Sequence, residues 1–254
     1  MDFRTVFDTI PAQFDAWRPR YCAELFTDLI AYAGVTAESK VLEVGPGTGQ
    51  ATEPLLQTGC NYTAIELSAV FADFMRDKYK TYPNGSIINA DFETYDFGDA
   101  PFDLVYSAAA FQWIPEAIGY PKVYSLLKSG GAFAMFMTRP DTQPGGGYTD
   151  EPLFTKLQEV YAKHFRPATE YKCSLDYDGR DKYGFVDLEK RIYKATRTYT
   201  ADEYVQHIGT HSDHITLPEP HRTRFYEGIR EVIRDFGNSV TLYDNITIYL
   251  ARKG

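Results

Sequence analysis

The first 138 residues alternate two kinds of pattern. Short apolar runs at 40–44, 61–65, 86–90, 102–107 and 131–137 read as strands, while the segments between them carry helical spacing. Residues 50–57 predict a helix with Pro54 in its first turn, where a missing N–H costs little, and Gly59 stops it. Ser68 is a natural N-cap for a helix whose apolar side is Val70, Phe71, Phe74, Met75 and Tyr79, and 120–127 gives another helix. Strand and helix in turn predict α/β winding: a mostly parallel, doubly wound sheet that takes ligands at the carboxyl ends of its strands.

After Met137 the alternation stops. Residues 141–147, Asp-Thr-Gln-Pro-Gly-Gly-Gly, read as a flexible connector, and 151–165 as an amphipathic helix presenting Leu153, Phe154, Leu157, Val160, Tyr161 and His164. Residues 188–199 predict a strand, 201–208 a short helix, and 220–236 a longer one with Phe225, Ile229, Val232, Ile233 and Phe236 on its apolar face. Glu227 with Arg230 and Glu231 with Arg234 would pair on its wet side. Residues 239–251 close the chain as a strand rich in Thr, Ile and Tyr, so the sheet should finish in an antiparallel pair.

Composition narrows the classes. With 44% hydrophobic and 15% aromatic residues in 254, the chain can bury a sizeable core and is neither disordered nor low in complexity. No run nears the roughly 18 apolar residues of a membrane span, and the start lacks a signal peptide's basic and apolar regions, so a cytoplasmic location is expected. Cys22, Cys60 and Cys173 form no ligand spacing and no disulfide framework; they are expected to be reduced thiols. The net charge of -9 sits forward: residues 1–138 hold 9 Lys and Arg against 17 Asp and Glu, and the rest 17 against 18. Neither half has the basic excess that nucleic acid needs, so the partner expected is a small molecule; oligomeric state is not readable.

The sharpest local signal is the strand that carries Glu43, ends at Val44 and runs into Gly45-Pro46-Gly47-Thr48-Gly49. Glycines there give the turn its backbone freedom and let a ligand approach the main chain. Glu66, 21 residues after Gly45 at the end of the second strand, is spaced to accept both hydroxyls of a ribose. A dinucleotide site would place its third glycine one position later, where Gln50 stands.

These residues, with Ile65-Glu66-Leu67-Ser68, Ala90-Asp91-Phe92, Phe102-Asp103-Leu104-Val105-Tyr106-Ser107 and Leu126-Leu127-Lys128-Ser129-Gly130-Gly131 following in order, resemble the class I S-adenosylmethionine-dependent methyltransferases over residues 38 to 138. The resemblance implies a Rossmann-like, mostly parallel seven-stranded sheet with an antiparallel last strand and a helical cap insertion. It divides the chain into a lid (1–38), a cofactor core (39–138), an inserted cap (139–186) and closing strands and helices (187–254). It also implies that Gly45, Pro46, Gly47, Thr48 and Gly49 line the methionine part of S-adenosylmethionine, and that Glu43 holds the loop or the ligand's amino group. Glu66 with Leu67 would take the ribose, Asp91 and Phe92 the adenine, and Ser107 and Ala108 would flank the sulfonium. Singly, Glu43 reads equally as a helix cap and Asp91 as a turn residue.

Phe14-Asp15-Ala16-Trp17-Arg18-Pro19-Arg20-Tyr21 is similar to a lid segment of the type 11, trans-aconitate-methyltransferase-like branch, with Phe14 where that branch has Tyr. This implies that Phe14, Arg18 and Tyr21 close over the site and that Arg18 meets a carboxylate; an N-terminal helix packed on the sheet is the alternative. Trp113, in the loop after the fourth strand, would line a substrate pocket or cover the sheet. His207, His211 and His214 cluster with Asp213, but without a distant ligand partner no metal is expected. His211 is the candidate general base and Ser212 a candidate substrate contact.

The function expected is methyl transfer from S-adenosylmethionine to a small molecule, one that carries a carboxylate. A non-catalytic S-adenosylmethionine-binding protein is the alternative, and a nicotinamide-dependent oxidoreductase, which lacks its Tyr-x-x-x-Lys here, comes after it.

Overall fold

The computed structural model describes residues 3–99, 101–141, 151–167 and 175–254. Most of the expected connector, at 142–147, and Cys173 lie outside the described residues. A 3-10 turn at Phe3–Thr9 leads into α1 (Pro11–Trp17) and α2 (Ala23–Ala33), then β1 (Lys40–Val44), α3 (Glu53–Leu56), β2 (Asn61–Glu66), α4 (Ala69–Lys78), β3 (Gly85–Asn89) and β4 (Phe102–Ala108). After a 3-10 turn at Phe111–Trp113 come α5 (Glu116–Leu126), β5 (Leu127–Pro140) and α6 (Glu151–His164), and after another at Gly179–Tyr183 come β6 (Phe185–Tyr199), α7 (Ala201–Ile208), α8 (Ser212–Ile215), α9 (His221–Asp235) and β7 (Val240–Lys253).

The strands make one seven-stranded sheet in the order β3-β2-β1-β4-β5-β7-β6, six parallel and β7 antiparallel. Its register decides what stands at the carboxyl edge. Glu43 of β1 lies opposite Ala64 of β2 and Tyr106 of β4, Glu66 ends β2 opposite Asn89, and Ser107 of β4 pairs with Met135 of β5.

Local chemistry sets several boundaries. The Ser68 side chain accepts from the Phe71 N–H at 3.1 Å and starts α4, while Thr200 and Glu203 close a capping box on α7, each satisfying amide donors that a helix start leaves open. Two expectations are corrected. Residues 47–52 are turns rather than helix, so the helix placed at 50–57 shrinks to the four residues of α3; three glycines at positive φ before it keep the backbone out of the helical region. The helix placed at 120–127 begins instead at Glu116, directly after Pro115, and carries Pro121 inside it.

By its contacts the chain divides into two compact units, 1–18 with 139–172 and 194–245, and 19–138 with 173–193 and 246–254. The second unit has its core among β1, β4, β5 and α5, with Leu42, Val105, Phe111, Tyr120, Phe133 and Met135 nearly or fully buried. Gly119 permits one approach there: a Cβ on it would stand 2.8 Å from the Phe111 ring. The first unit packs α6, α7 and α9 through Leu157, Tyr204, Ile208, Phe225, Ile229 and Ile233. Phe154 and Phe236, expected on apolar faces, are each 36% exposed. Arg230 and Arg234 reach Asp202 of α7, at 3.0 and 3.1 Å, in place of the pairs expected within α9. No helix among the described residues is long and apolar enough to cross a membrane.

Candidate active site

Gly45, Gly47 and Gly49 stand at φ of 66°, 61° and 87°, the left-handed region where a side chain is strained. A Cβ on Gly45 would come within 2.5 Å of the Ala110 Cβ, and one on Gly49 within 2.6 Å of the Tyr79 ring. The turn is held by its carbonyls. Tyr79 donates to the Gly49 oxygen at 2.9 Å, Arg20 reaches the same oxygen at 3.4 Å, and the Lys78 ammonium donates to the Thr48 oxygen at 2.9 Å. Pro46 and Thr48 are buried and Gly47 half-buried.

Glu43 is fully buried, and its Oε2 accepts from the hydroxyls of Thr52, Tyr62 and Tyr106 at 2.7, 2.5 and 2.7 Å. Burial, working against those three bonds, pushes its carboxyl above the usual range. Thr52 immediately precedes α3, so this hydroxyl ties the exit of the turn to the strand. Glu66 points the other way along the loop. Its Oε2 accepts from the Gly47 N–H at 3.0 Å and its Oε1 from the Ser68 N–H at 2.9 Å, so one carboxylate braces both the glycine turn and the start of α4.

Leu67, half-buried, gives its carbonyl to Asn89. Asp91 caps its own turn by accepting from the Glu93 N–H at 2.9 Å, and the Phe92 ring is buried beside Phe97 with the Lys122 ammonium 5.3 Å from its centre. Ser107 is buried and donates to the Val44 carbonyl at 2.8 Å, fastening β4 to β1 just where the turn begins. Beyond Ala108, Ala109 adopts φ 52°, at a cost of about 1–2 kcal/mol for a residue with a Cβ. Tyr21 stands edge-on to Phe136 at 4.8 Å, and Phe136 stacks on Tyr106 of the Glu43 cage. Trp113 is half-buried at the end of its 3-10 turn, while Phe111 of that turn is the core aromatic.

The other sequence-predicted residues gather in the first unit. Arg18 donates to the Thr210 carbonyl at 2.8 Å, with its guanidinium 5.0 Å from the Phe14 ring centre and 5.9 Å from that of Phe7. Next in sequence, His211 stands edge-on to His207 at 5.1 Å and to His214 at 5.2 Å; burial first, and Arg18 second, hold it well below the usual histidine range. Ser212 opens α8 and is half-buried. His214 bonds Asp213 through Nδ1 at 2.7 Å and the Tyr161 hydroxyl through Nε2 at 3.0 Å. Donor atoms of His211, Asp213 and His214 all lie within 4.8 Å of one another, but both nitrogens of His214 are already engaged.

A family model described as a methyltransferase domain matches residues 42–135, the stretch that contains the glycine turn, Glu66, Asp91 and Ser107. The sterol 24-C-methyltransferase of Saccharomyces cerevisiae is 32% identical over 171 residues, 65% of this chain and 40% of that protein. The chain therefore spans less than half the length of that relative. An uncharacterized methyltransferase of Mycobacterium tuberculosis is 22% identical over 232 residues, 91% of this chain and 87% of that one. Among solved structures, a phosphoethanolamine N-methyltransferase of Haemonchus contortus, in complex with phosphomonomethylethanolamine and S-adenosylhomocysteine, superposes with a TM-score of 0.59 at 16% identity, covering all of this chain and 60% of that one. The domain match runs from β1 into β5.

The chain carries a methyltransferase domain in a Rossmann-like class I fold. The glycines of its turn are required by the fold itself, since backbone conformation and the nearness of Ala110 to Gly45 and of Tyr79 to Gly49 exclude side chains there.

Several residues that shape this protein carry little or no signal in its sequence. Tyr62 and Tyr106 passed as apolar strand residues, though a phenol in a buried strand needs a partner and so carried a signal. Arg197 and Asp244 carried none, being distant in sequence, and His207 stood out only as one of a histidine cluster. Arg197 donates to Asp244 at 2.6 Å and to His207 Nε2 at 3.3 Å, and His207 Nδ1 donates to the Trp17 carbonyl at 3.1 Å. Both ring nitrogens are thus committed to a neutral imidazole, and burial, reinforced by Arg197, lowers its pKa to about 4. A depressed folded value gives stability that is complete above the unfolded pKa of about 6.5 and lost as pH falls toward the folded one. Between pH 7 and pH 5 the protein should lose about 2 kcal/mol through this residue. Denaturant titrations at the two pH values check it: the loss should shrink in His207→Gln, and an unchanged loss would assign it elsewhere.

Proposed function

We propose that the chain is an S-adenosylmethionine-dependent methyltransferase acting on a small, partly apolar molecule bearing a carboxylate, and that Arg18 receives that carboxylate. The observation that carries this reading is the setting of Arg18. Its guanidinium is steadied by a backbone carbonyl and two aromatic faces, with a neutral histidine next to the residue it bonds, a combination suited to a planar anion with apolar surroundings. The likeness of residues 14–21 to the trans-aconitate-methyltransferase-like branch supports the same choice. The relatives' names do not decide it, since one names a sterol and another a phosphoethanolamine.

Bound S-adenosylmethionine supplies an activated methyl group. The chain's part is binding and alignment: Gly45, Pro46, Gly47, Thr48 and Gly49 beside the methionine portion, Glu66 and Leu67 at the ribose, Asp91 and the Phe92 backbone at the base, Ser107 and Ala108 at the sulfonium. Glu43 acts through the loop rather than on the ligand, because its bonded oxygen is enclosed by three hydroxyls. Phe14, Tyr21, Trp113 and Ser212 would contact the acceptor. A carboxylate oxygen needs no base, whereas a hydroxyl would pass its proton to His211, which burial and Arg18 keep neutral at neutral pH. Rate then comes chiefly from holding the acceptor in line with the departing sulfur.

The test is a panel of carboxylic acids, phenols and amines assayed for S-adenosylhomocysteine release. Turnover should be found among the acids, and Arg18→Ala should raise KM for the best of them by about tenfold or more. Turnover confined to amines or neutral phenols, or an unaltered KM, would sink the proposal.

A further inference from the structure

The loop after β4 holds a strained residue by both of its backbone polar groups. Ala109, at φ 52°, donates its N–H to the Phe136 carbonyl at 2.8 Å, and its own carbonyl accepts from the Gln112 side-chain Nε2 at 2.8 Å. The carboxamide is oriented in turn, since its Oε1 accepts from the Tyr177 hydroxyl at 3.2 Å. Tyr177 is buried, and its ring stacks on Tyr249 of β7 with centroids 5.1 Å apart.

What this turn places is the row of small side chains Ser107, Ala108, Ala109 and Ala110. Ala110 lies against the glycine turn so closely that Gly45 has no room for a Cβ. Were Ala109 to relax into the ordinary β or α region, the peptide following it would rotate and Ala110 would leave that contact. An alanine does not stay at φ 52° by preference, so something must hold it there, and its own N–H and carbonyl are bonded to the Phe136 carbonyl and the Gln112 side chain.

We propose that Gln112 and Tyr177 are positioning residues that hold Ala109 in its left-handed turn, and so fix the wall of small side chains that meets the transferable methyl. The proposal rests on the reading that Ser107 and Ala108 flank the sulfonium. It goes beyond that reading in assigning the methyl-specific fit to a glutamine and a tyrosine more than sixty residues apart. S-adenosylmethionine and S-adenosylhomocysteine differ at that one place, by a methyl and the charge on sulfur. The ratio of their affinities therefore reads the wall directly, with no acceptor needed.

The experiment is calorimetric titration of the full chain with each of the two ligands. In Gln112→Ala, affinity for S-adenosylmethionine should fall about tenfold while that for S-adenosylhomocysteine changes by less than about twofold. Tyr177→Phe should move the same ratio in the same direction by about threefold, because the carboxamide keeps its bond to Ala109 but loses its orienting partner. Adding Ala109→Gly to Gln112→Ala should restore S-adenosylmethionine binding to within about threefold of the parent, since glycine takes a positive φ without a side-chain penalty. A merely structural role would weaken both ligands alike and would not respond to the glycine. Equal losses for the two ligands, or no recovery in the double variant, would overturn the proposal. If Gln112→Ala fails to fold by circular dichroism, Tyr177→Phe carries the test, and an unchanged ratio there overturns it. Failure of the parent to bind either ligand would instead overturn the cofactor reading, and this inference with it.

Discussion

Glu43→Ala should lower stability by roughly 3–5 kcal/mol, a drop of roughly 10 °C in midpoint for a chain of this size, and should abolish tight cofactor binding. The reason is the cage. Thr52, Tyr62 and Tyr106 all give their hydroxyl hydrogens to one buried oxygen, and alanine takes that acceptor from all three, leaving Tyr62 and Tyr106 only their longer bonds to Thr52 Oγ1 and the Ala51 carbonyl, as well as a void. Glu43→Gln keeps the shape and one acceptor oxygen, so it should cost only about 1–2 kcal/mol. The two variants also differ in pH dependence. Since the Glu43 carboxyl titrates above its unfolded value, its contribution is fullest below the unfolded pKa and is lost as pH rises through the folded one. Glutamine does not titrate, so the gap between the parent and Glu43→Gln should narrow as pH rises. Thermal unfolding followed by circular dichroism measures all three proteins; an alanine variant within about 2 °C of the parent would mean that the cage carries little.

Glu66→Ala should weaken S-adenosylhomocysteine binding on the order of a hundredfold, or about 2.7 kcal/mol. Two losses combine. The ribose hydroxyls lose a carboxylate acceptor, and the Gly47 N–H loses the oxygen that fixes the glycine turn against β2. Because Ser68 N–H loses its partner too, the start of α4 should loosen, but the Ser68 side-chain cap to Phe71 remains and the fold should survive. Glu66→Gln, which can still accept one hydrogen bond, should fall between the two. Calorimetry decides: unchanged affinity in Glu66→Ala would remove Glu66 from the cofactor site.

Much of the cofactor half was legible because each of its signals is local. A strand that ends in an acid, a turn that needs three glycines, a serine one residue ahead of a helix: each is decided by the few residues around it. The places where the reading slipped are those where distant parts of the chain settle the matter. The helix expected at 50–57 gave way because the glycine turn runs on to residue 52, pinned by Lys78 at the end of α4 and Tyr79 just after it. Arg230 and Arg234 were expected to pair along their own helix, yet Asp202 on α7 lies closer to hand. The phenols of Tyr62 and Tyr106 were hidden among apolar neighbours, and only their hydrogen bonds in the folded sheet show that both converge on Glu43. No spacing rule could have joined Trp17, Arg197, His207 and Asp244, which lie up to two hundred and more residues apart along the chain.

The division into two units has a consequence for how the polypeptide comes off the ribosome. Each unit is assembled from three separate stretches, and each needs its last stretch before its packing closes: 194–245 for one, 246–254 for the other. Vectorial synthesis, which lets many proteins fold one finished piece at a time, offers no such order here. The early strands β1 to β4 can pair among themselves as they emerge, but β7 must still thread between β5 and β6. Until it does, the facing edges of β5 and β6 stay open to another chain's strand. Loops of this sequence separation close slowly, so the nascent protein should depend on chaperones in the interval between the synthesis of β5 and that of β7.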